Sequence, residues 1–304
     1  MNLRTDLKTS LRHNVPLSRF STMQVGGPAA VFAEPAREEE LLELLEFARH
    51  ENLPFFILGK GSNVIFPDEG FPGLVITLIH FEQDHIRFDS EKSLLSVSSG
   101  IYLYRLALAC RDMGIAGTEF LANIPGTFGG ALYMNAGFSR FPGQRNEISD
   151  LVEDVTVINP AGKKEIMKKE DLEFSYRRSN LEGKVILSGT LRVWKRNKEI
   201  IEKEIRANFE YRNQKQDLQH PSSGSIFKNP PAPSLSAGRL IDQCGLKGTQ
   251  VGGAMVSPKH GNYIVNAGGA KSSDIIELIH KIQKWVLDGT GVLLEPEVRI
   301  IEKA

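Results

Sequence analysis

The chain has 304 residues, 41% hydrophobic and 24% charged, which excludes extensive disorder and leaves length for two or three compact units. Lys+Arg 37 balances Asp+Glu 37 for a formal net charge of +0, so neither nucleic acid nor an anionic membrane is expected as a partner, although a few converging cations could still hold a small anion. No apolar run reaches the about 18 residues of a spanning helix, the N-terminal segment lacks a secretion-signal core, and Cys110 and Cys244 show no metal-type spacing. A cytoplasmic, reduced, metal-free protein is expected.

Residues 38–50 (EEELLELLEFARH) place apolar side chains at 41, 42, 44, 45 and 48 behind an acidic first turn, which predicts an amphipathic helix. A strand at 54–59 follows, and this rhythm suggests an α/β layer. Further strands are predicted at 74–78, 94–98, 150–158 and 185–194. The stretch 102–114 reads as a helix with Gly114 at C′. Ala161-Gly162 reads as a turn, and 163–171 as a solvated hairpin. A charged stretch at 195–199 opens a long helix running to about Gln214. The main boundary is placed there, giving parts 1–197, itself split near 75–80, and 198–304. Beyond it are expected a Ser/Pro/Gly-rich loop over 217–238, a short helix over 237–244, and a helix over 274–288. That last helix would have Asp274 and Glu277 capping its start and Gly289 its end. A closing strand, VLLEPEVRII, would set Glu295 and Glu297 on one face.

The 28 glycines cluster beside small polar residues, a pattern suggesting backbone drawn close to a large ligand. LGKGSN at 58–63 follows a strand, yet Val64 and the prolines after it rule out a dinucleotide-binding helix. Gly59, Lys60, Gly61, Ser62 and Asn63 could instead form an anion-binding nest, or simply a turn. GTEFLANIPGTFGGALYMNAG at 117–137 is the stronger signal, with Ala122, Pro125, Gly126, Thr127, Gly129, Gly130, Asn135, Ala136 and Gly137 as candidates to line an extended cofactor. Tyr176-Arg177-Arg178 joins a ring to two forks suited to carboxylate or phosphate. In SSGSIFKNP, Ser225 precedes Lys228 and Asn229 without the nucleophile-elbow pattern of a hydrolase. The seven histidines form no ligand pair, and no metal is expected.

Taken in order, STMQVGGPA (21–29), LGKGSNVIFPDEGFPG (58–73), the 117–137 segment, YRRSN (176–180), GSIFKNP (224–230), the 237–268 segment and LEPEVRI (294–300) resemble the UDP-N-acetylenolpyruvoylglucosamine reductase (UDP-N-acetylmuramate dehydrogenase) family across nearly the whole chain. The short stretch between Tyr176 and Arg212 is similar to the family's shorter form, which lacks an inserted tyrosine loop. Asp217 stands where members often have proline. The resemblance implies an α+β chain: a vanillyl-alcohol-oxidase-like FAD-binding fold of two α/β subdomains, then an α+β substrate domain. It also implies non-covalent FAD, NADPH as co-substrate and an enolpyruvyl sugar nucleotide as substrate; a monomer is expected. By resemblance Arg177 steadies the substrate carboxylate, Ser225 donates the proton, and Glu297 shares the carboxylate charge, with Glu295 its nearest competitor. Tyr176, Arg212, Lys215, Lys228 and Asn229 are candidate substrate contacts. The alternatives are another FAD-dependent alcohol or hydroxy-acid oxidase of the same fold, or a nucleotide-binding sensor.

Overall fold

The computed structural model describes residues 9–82, 85–141, 144, 146–231 and 236–302. It divides into two compact units, each assembled from separate stretches of chain. The first comprises the residues up to Arg12 with Val31–Lys60 and Gly73–Tyr211, and the second comprises His13–Ala30, Gly61–Pro72 and the chain from Arg212 onward.

In the first unit, helix α1 (Glu38–His50) buries Leu41, Leu44, Leu45, Phe47 and Ala48, the apolar stripe that the periodicity picks out. It packs with Leu74 and Ile76 into one core cluster. Strand Phe55–Leu58 pairs in parallel with the strand that reaches Thr77, registering Leu58 opposite Thr77. The larger core belongs to a five-stranded antiparallel sheet, in the order Lys164–Lys168, Val152–Ile158, Val185–Arg192, Leu94–Ser98, Ile86–Asp89. Helices α2 (Leu103–Asp112) and α3 (Phe128–Met134) cover it through Leu106, Cys110, Phe128 and Leu132. Gly114 follows α2 with φ +64, as a C′ residue should. The hairpin expected at 163–171 is the exposed edge strand of this sheet. The long helix is α4 (Lys198–Lys215).

The second unit has a four-stranded antiparallel sheet, in the order Ser222–Ser225, Tyr263–Asn266, Ala254–Val256, Gln250–Val251. It shares a core with α5 (Ala237–Gln243) and α6 (Ser272–Thr290), centred on Ile226, Ile241, Ile275 and Ile279. Of the loop expected over 217–238, residues 232–235 lie outside the described residues. Two expectations are corrected here. The left-handed C-cap of α6 is Gly291 (φ +73), with Gly289 still helical, and Glu277 pairs with Lys281 along the helix, while the start is capped by Asp274, accepting from the Lys271 amide at 2.9 Å, and by Asp68, accepting from Ser272 and Ser273 N–H at 2.7 and 3.1 Å. The closing segment is a strand only at Arg299–Ile300, pairing in parallel with Val64–Ile65. Before it, Pro296 makes an isolated antiparallel bridge to Phe227, with the flanking Glu295 carbonyl and Glu297 N–H pairing with Lys228 and Ile226, so Glu295 and Glu297 stand outside a regular strand.

Candidate active site

The glycine-rich segments of the first unit are laced to one another. Phe128 N–H donates to the Ile101 carbonyl (2.8 Å), Gly129 N–H to Ser99 (2.9 Å), and Leu103 N–H to Gly126 (3.1 Å). Thr127 caps α3, its Oγ1 accepting from Gly130 N–H. A Cβ on Gly59 would lie 2.5 Å from that same Oγ1, so the end of the 58–60 loop rests on Thr127. Lys60 Nζ sits 4.8 Å from the Tyr102 ring centre. Packing explains Gly129 and Gly137, whose added Cβ atoms would come within 2.8 Å of Ser99 Cβ and 2.5 Å of Asn146 O. It does not explain Gly130, which is exposed and where a Cβ would meet only Thr127 Oγ1 at 3.5 Å. The Thr77 and Ser99 hydroxyls in the same unit are buried without a hydrogen-bond partner among the described residues. A bare exposed backbone together with two unspent buried hydroxyls suits a large polar cofactor, so the residues present fit FAD.

Other predicted cofactor residues face inward. Ala122 packs with Ala107, Ala116, Ile201 and Ile205, while Pro125, Gly126 and Ala136 are half-buried. In the second unit, Gly61 has φ +65 and a Cβ there would fall 1.9 Å from Phe20 O, so only glycine fits that turn. Ser62 is half-buried. Asn63 spends its side-chain amide on the Glu297 carbonyl (3.1 Å), and its own carbonyl accepts from Arg299 N–H (3.0 Å).

Arg177 lies in a two-residue turn between the short strands Phe174–Ser175 and Arg178–Ser179, and its φ is +58. That region favours glycine, and an L side chain there costs about 1–2 kcal/mol. The arginine is thus held against local preference. Its Nη1 donates to the Asn135 carbonyl (3.3 Å) and its Nη2 to the Gly137 carbonyl (3.1 Å), and Glu147 Oε1 stands 3.9 Å from Nη1. The guanidinium also lies 4.9 Å from the Tyr176 ring centre. Arg178 next to it is exposed.

Ser225, the last residue of the strand Ser222–Ser225, and Glu297 lie on segments that the second unit stitches side by side. Glu297 N–H donates to the Ile226 carbonyl (2.7 Å), and Lys228 N–H to the Glu295 carbonyl (2.9 Å). Asn262 stiffens this junction, since its Nδ2 donates to Phe227 O (2.8 Å) while its Oδ1 accepts from Phe227 N–H (3.0 Å). Lys228 is ion-paired to Glu295, whose side chain is 70% exposed. Glu297 is half-buried, so the two acids lie in different surroundings. Asn229 Oδ1 accepts from Ala237 N–H, at the first residue of α5. Lys215 is exposed at the end of α4. Arg212, one turn earlier, is half-buried, desolvation lowers its pKa, and it donates from Nε to Gln216.

Sequence reading passed over Glu147 and Tyr263. Tyr263 registers opposite Ser225 in the antiparallel sheet, so both side chains project from one face. Burial pushes its phenol pKa up, Arg212 pulls it down and Glu297 raises it further. The only signal available was its place in KHGNYIVNAG. Asp217, the departure from proline, is buried and organises its loop by accepting from Ser257 Oγ (2.8 Å) and Gln219 N–H (3.1 Å).

A sequence profile of FAD-binding domains matches residues 28–166, placing the chain among FAD-dependent oxidoreductases with the vanillyl-alcohol-oxidase-like fold and a further C-terminal domain. A second profile, for the C-terminal domain of UDP-N-acetylenolpyruvoylglucosamine reductase, matches residues 216–301. The reductase of that name from Chlamydia muridarum is 41% identical over 294 residues, 96% of this chain and 95% of its own. The one from Syntrophotalea carbinolica is 38% identical over 95% of this chain and 93% of its own. The crystal structure of the Thermus caldophilus enzyme superposes with a TM-score of 0.80 at 35% identity, covering 97% of this chain and all of that one. The chain belongs to the UDP-N-acetylenolpyruvoylglucosamine reductase family.

Proposed function

We propose that this enzyme reduces UDP-N-acetylglucosamine enolpyruvate to UDP-N-acetylmuramate with NADPH, in peptidoglycan precursor synthesis. Full-length similarity to reductases of that name carries the reading. Residues 1–197 serve the cofactor and 198–304 the substrate, in a monomeric cytoplasmic enzyme. Bound FAD supplies the two-electron relay between NADPH and C3 of the enolpyruvyl group. Gly59, Lys60, Thr127 and Gly130 hold the cofactor, an assignment supported by the exposed backbone and unspent hydroxyls of the first unit.

The residues of the chain handle the charge and the proton. Hydride arriving at C3 leaves a carbanion at C2, delocalised into the carboxylate. Arg177 grips that carboxylate, and because its attraction grows as charge accumulates, it lowers the barrier and does more than bind the ground state. Losing one such preorganised donor costs about 3–4 kcal/mol. Ser225 Oγ gives its proton to C2. A hydroxyl is a feeble acid, but a carbanion is a strong enough base that a donor pKa near neutrality is not required. Glu297, half-buried beside the Ser225 strand, shares the carboxylate's charge, and its surroundings favour it over exposed, Lys228-paired Glu295. Tyr176, Arg212, Lys215, Lys228 and Asn229 contact the sugar nucleotide.

The test is turnover with the pure sugar nucleotide. NADPH consumption must match formation of a product two mass units heavier, and no consumption without oxygen would overturn the assignment in favour of an oxidase of the same fold.

A further inference from the structure

We infer that the Tyr263 phenol backs Ser225 in the reductive step, passing its proton to Ser225 Oγ as that hydroxyl protonates C2 of the substrate. The inference rests on the role proposed for Ser225 above. Tyr263 opens the strand Tyr263–Asn266 and stands directly opposite Ser225 in the antiparallel pairing. That register sets the two Cβ atoms about 4.5–5.5 Å apart on one face of the sheet. The register shifts between Ser222 and Ser225, and Gly224, with φ +74, presents no side chain there. The phenol reaches into that gap, its oxygen 3.9 Å from where a Cβ on Gly224 would lie. The hydroxyl is thereby brought to the residue that precedes Ser225. The ring also packs on His260, centroids 4.5 Å apart, which holds the side chain in place.

Tyr263 is only 4% exposed, yet its hydroxyl has no hydrogen-bond partner among the described residues. A buried phenol ordinarily has one, because leaving the group unpaired costs free energy. An unspent donor beside Ser225 suits a partner that arises only during the reaction. Burial holds the phenol above its usual pKa, so it stays protonated through the neutral range and serves there as a donor. When hydride reaches C3, the Ser225 O–H bond breaks as the C2–H bond forms. The electron pair left on Oγ takes the proton from Tyr263 Oη, and water reprotonates the phenolate. The transfer runs downhill, because an alkoxide is a stronger base than a phenolate. Arg212 favours the transient phenolate by its charge and Glu297 opposes it. Filling space against His260 is the competing explanation for the ring.

Tyr263→Phe separates the two, because it keeps the ring and removes only the hydroxyl. Anaerobic stopped-flow on the FAD holoenzyme should show unchanged flavin reduction by NADPH. Reoxidation by the enolpyruvyl sugar nucleotide should slow about 10-fold at saturation, with the half-saturating concentration unchanged. In mixtures of light and heavy water, the wild-type reoxidation rate should curve against deuterium fraction, as two moving protons require, and the variant's should fall on a straight line. In a Ser225→Ala background the Tyr263→Phe penalty should vanish, since the phenol acts only through that hydroxyl. Reoxidation as fast as wild type, a penalty that persists without Ser225, or a straight line for the wild type would overturn the inference. Wild-type flavin that the sugar nucleotide fails to reoxidise would instead overturn the functional reading itself.

Discussion

Replacing Asn262 with alanine should damage the second unit and its chemistry together. The Asn262 side chain is 4% exposed and stands in for a missing strand, pairing with both the N–H and the carbonyl of Phe227. Alanine leaves those two backbone groups, in a residue 1% exposed, without their partners. An unsatisfied buried group costs about 1–3 kcal/mol, so the pair is worth about 3 kcal/mol after partial relaxation. For a chain of this size that corresponds to a Tm lower by about 6–12 °C. Thermal unfolding followed by circular dichroism measures it. Because Phe227 sits between Ser225 and Lys228, flavin reoxidation by the sugar nucleotide should also slow far more than flavin reduction by NADPH. A Tm within about 2 °C of wild type would refute the reasoning, showing that the strand keeps its place by other means.

Ser225→Ala should leave reduction by NADPH intact and slow reoxidation by about 100-fold or more, the usual worth of a positioned proton donor; equal loss in both half-reactions would remove Ser225 from that role. His260 gives a pH signature. Burial, then the charge of Lys247, holds its pKa below the ordinary 6.5, and its Nδ1 accepts from Asn262 N–H as a neutral ring must. The unfolded chain therefore takes up that proton first, and stability present at pH 7 is lost as pH falls below about 6.5, at no more than about 1.4 kcal/mol per pH unit. His260→Gln should flatten that slope in denaturant titrations at pH 7 and pH 5, and an unchanged slope would assign the loss to other groups.

Much of the fold was legible because its periodicities are strong. The stripe of α1, the Gly114 stop of α2 and the turn at Ala161-Gly162 each follow from local chemistry, and the structure places them where the sequence does. The closing strand is shorter than its apolar run because only Arg299–Ile300 find a continuous partner strand, Val64–Ile65, while Pro296 makes an isolated bridge to Phe227, and hydrophobicity alone does not reveal such pairings between distant residues. The interleaving of three chain stretches in each unit was invisible, since it arises from contacts between residues far apart in sequence. At the site, the motifs pointed to Arg177, Ser225 and Glu297, but not to what holds them. The positive φ of Arg177 contradicts residue preference, and its anchors Asn135 and Glu147 lie in a different segment. The bond from the Asn63 amide to the Glu297 carbonyl is likewise a long-range pairing that no spacing rule encodes.

The central claim is that electrons from NADPH leave this protein only onto an enolpyruvyl sugar nucleotide. An anaerobic flavin absorbance titration tests it most directly. One equivalent of NADPH should bleach the yellow holoenzyme, and one equivalent of UDP-N-acetylglucosamine enolpyruvate should restore the colour with oxygen still excluded. Colour that returns only when air is admitted would contradict the account.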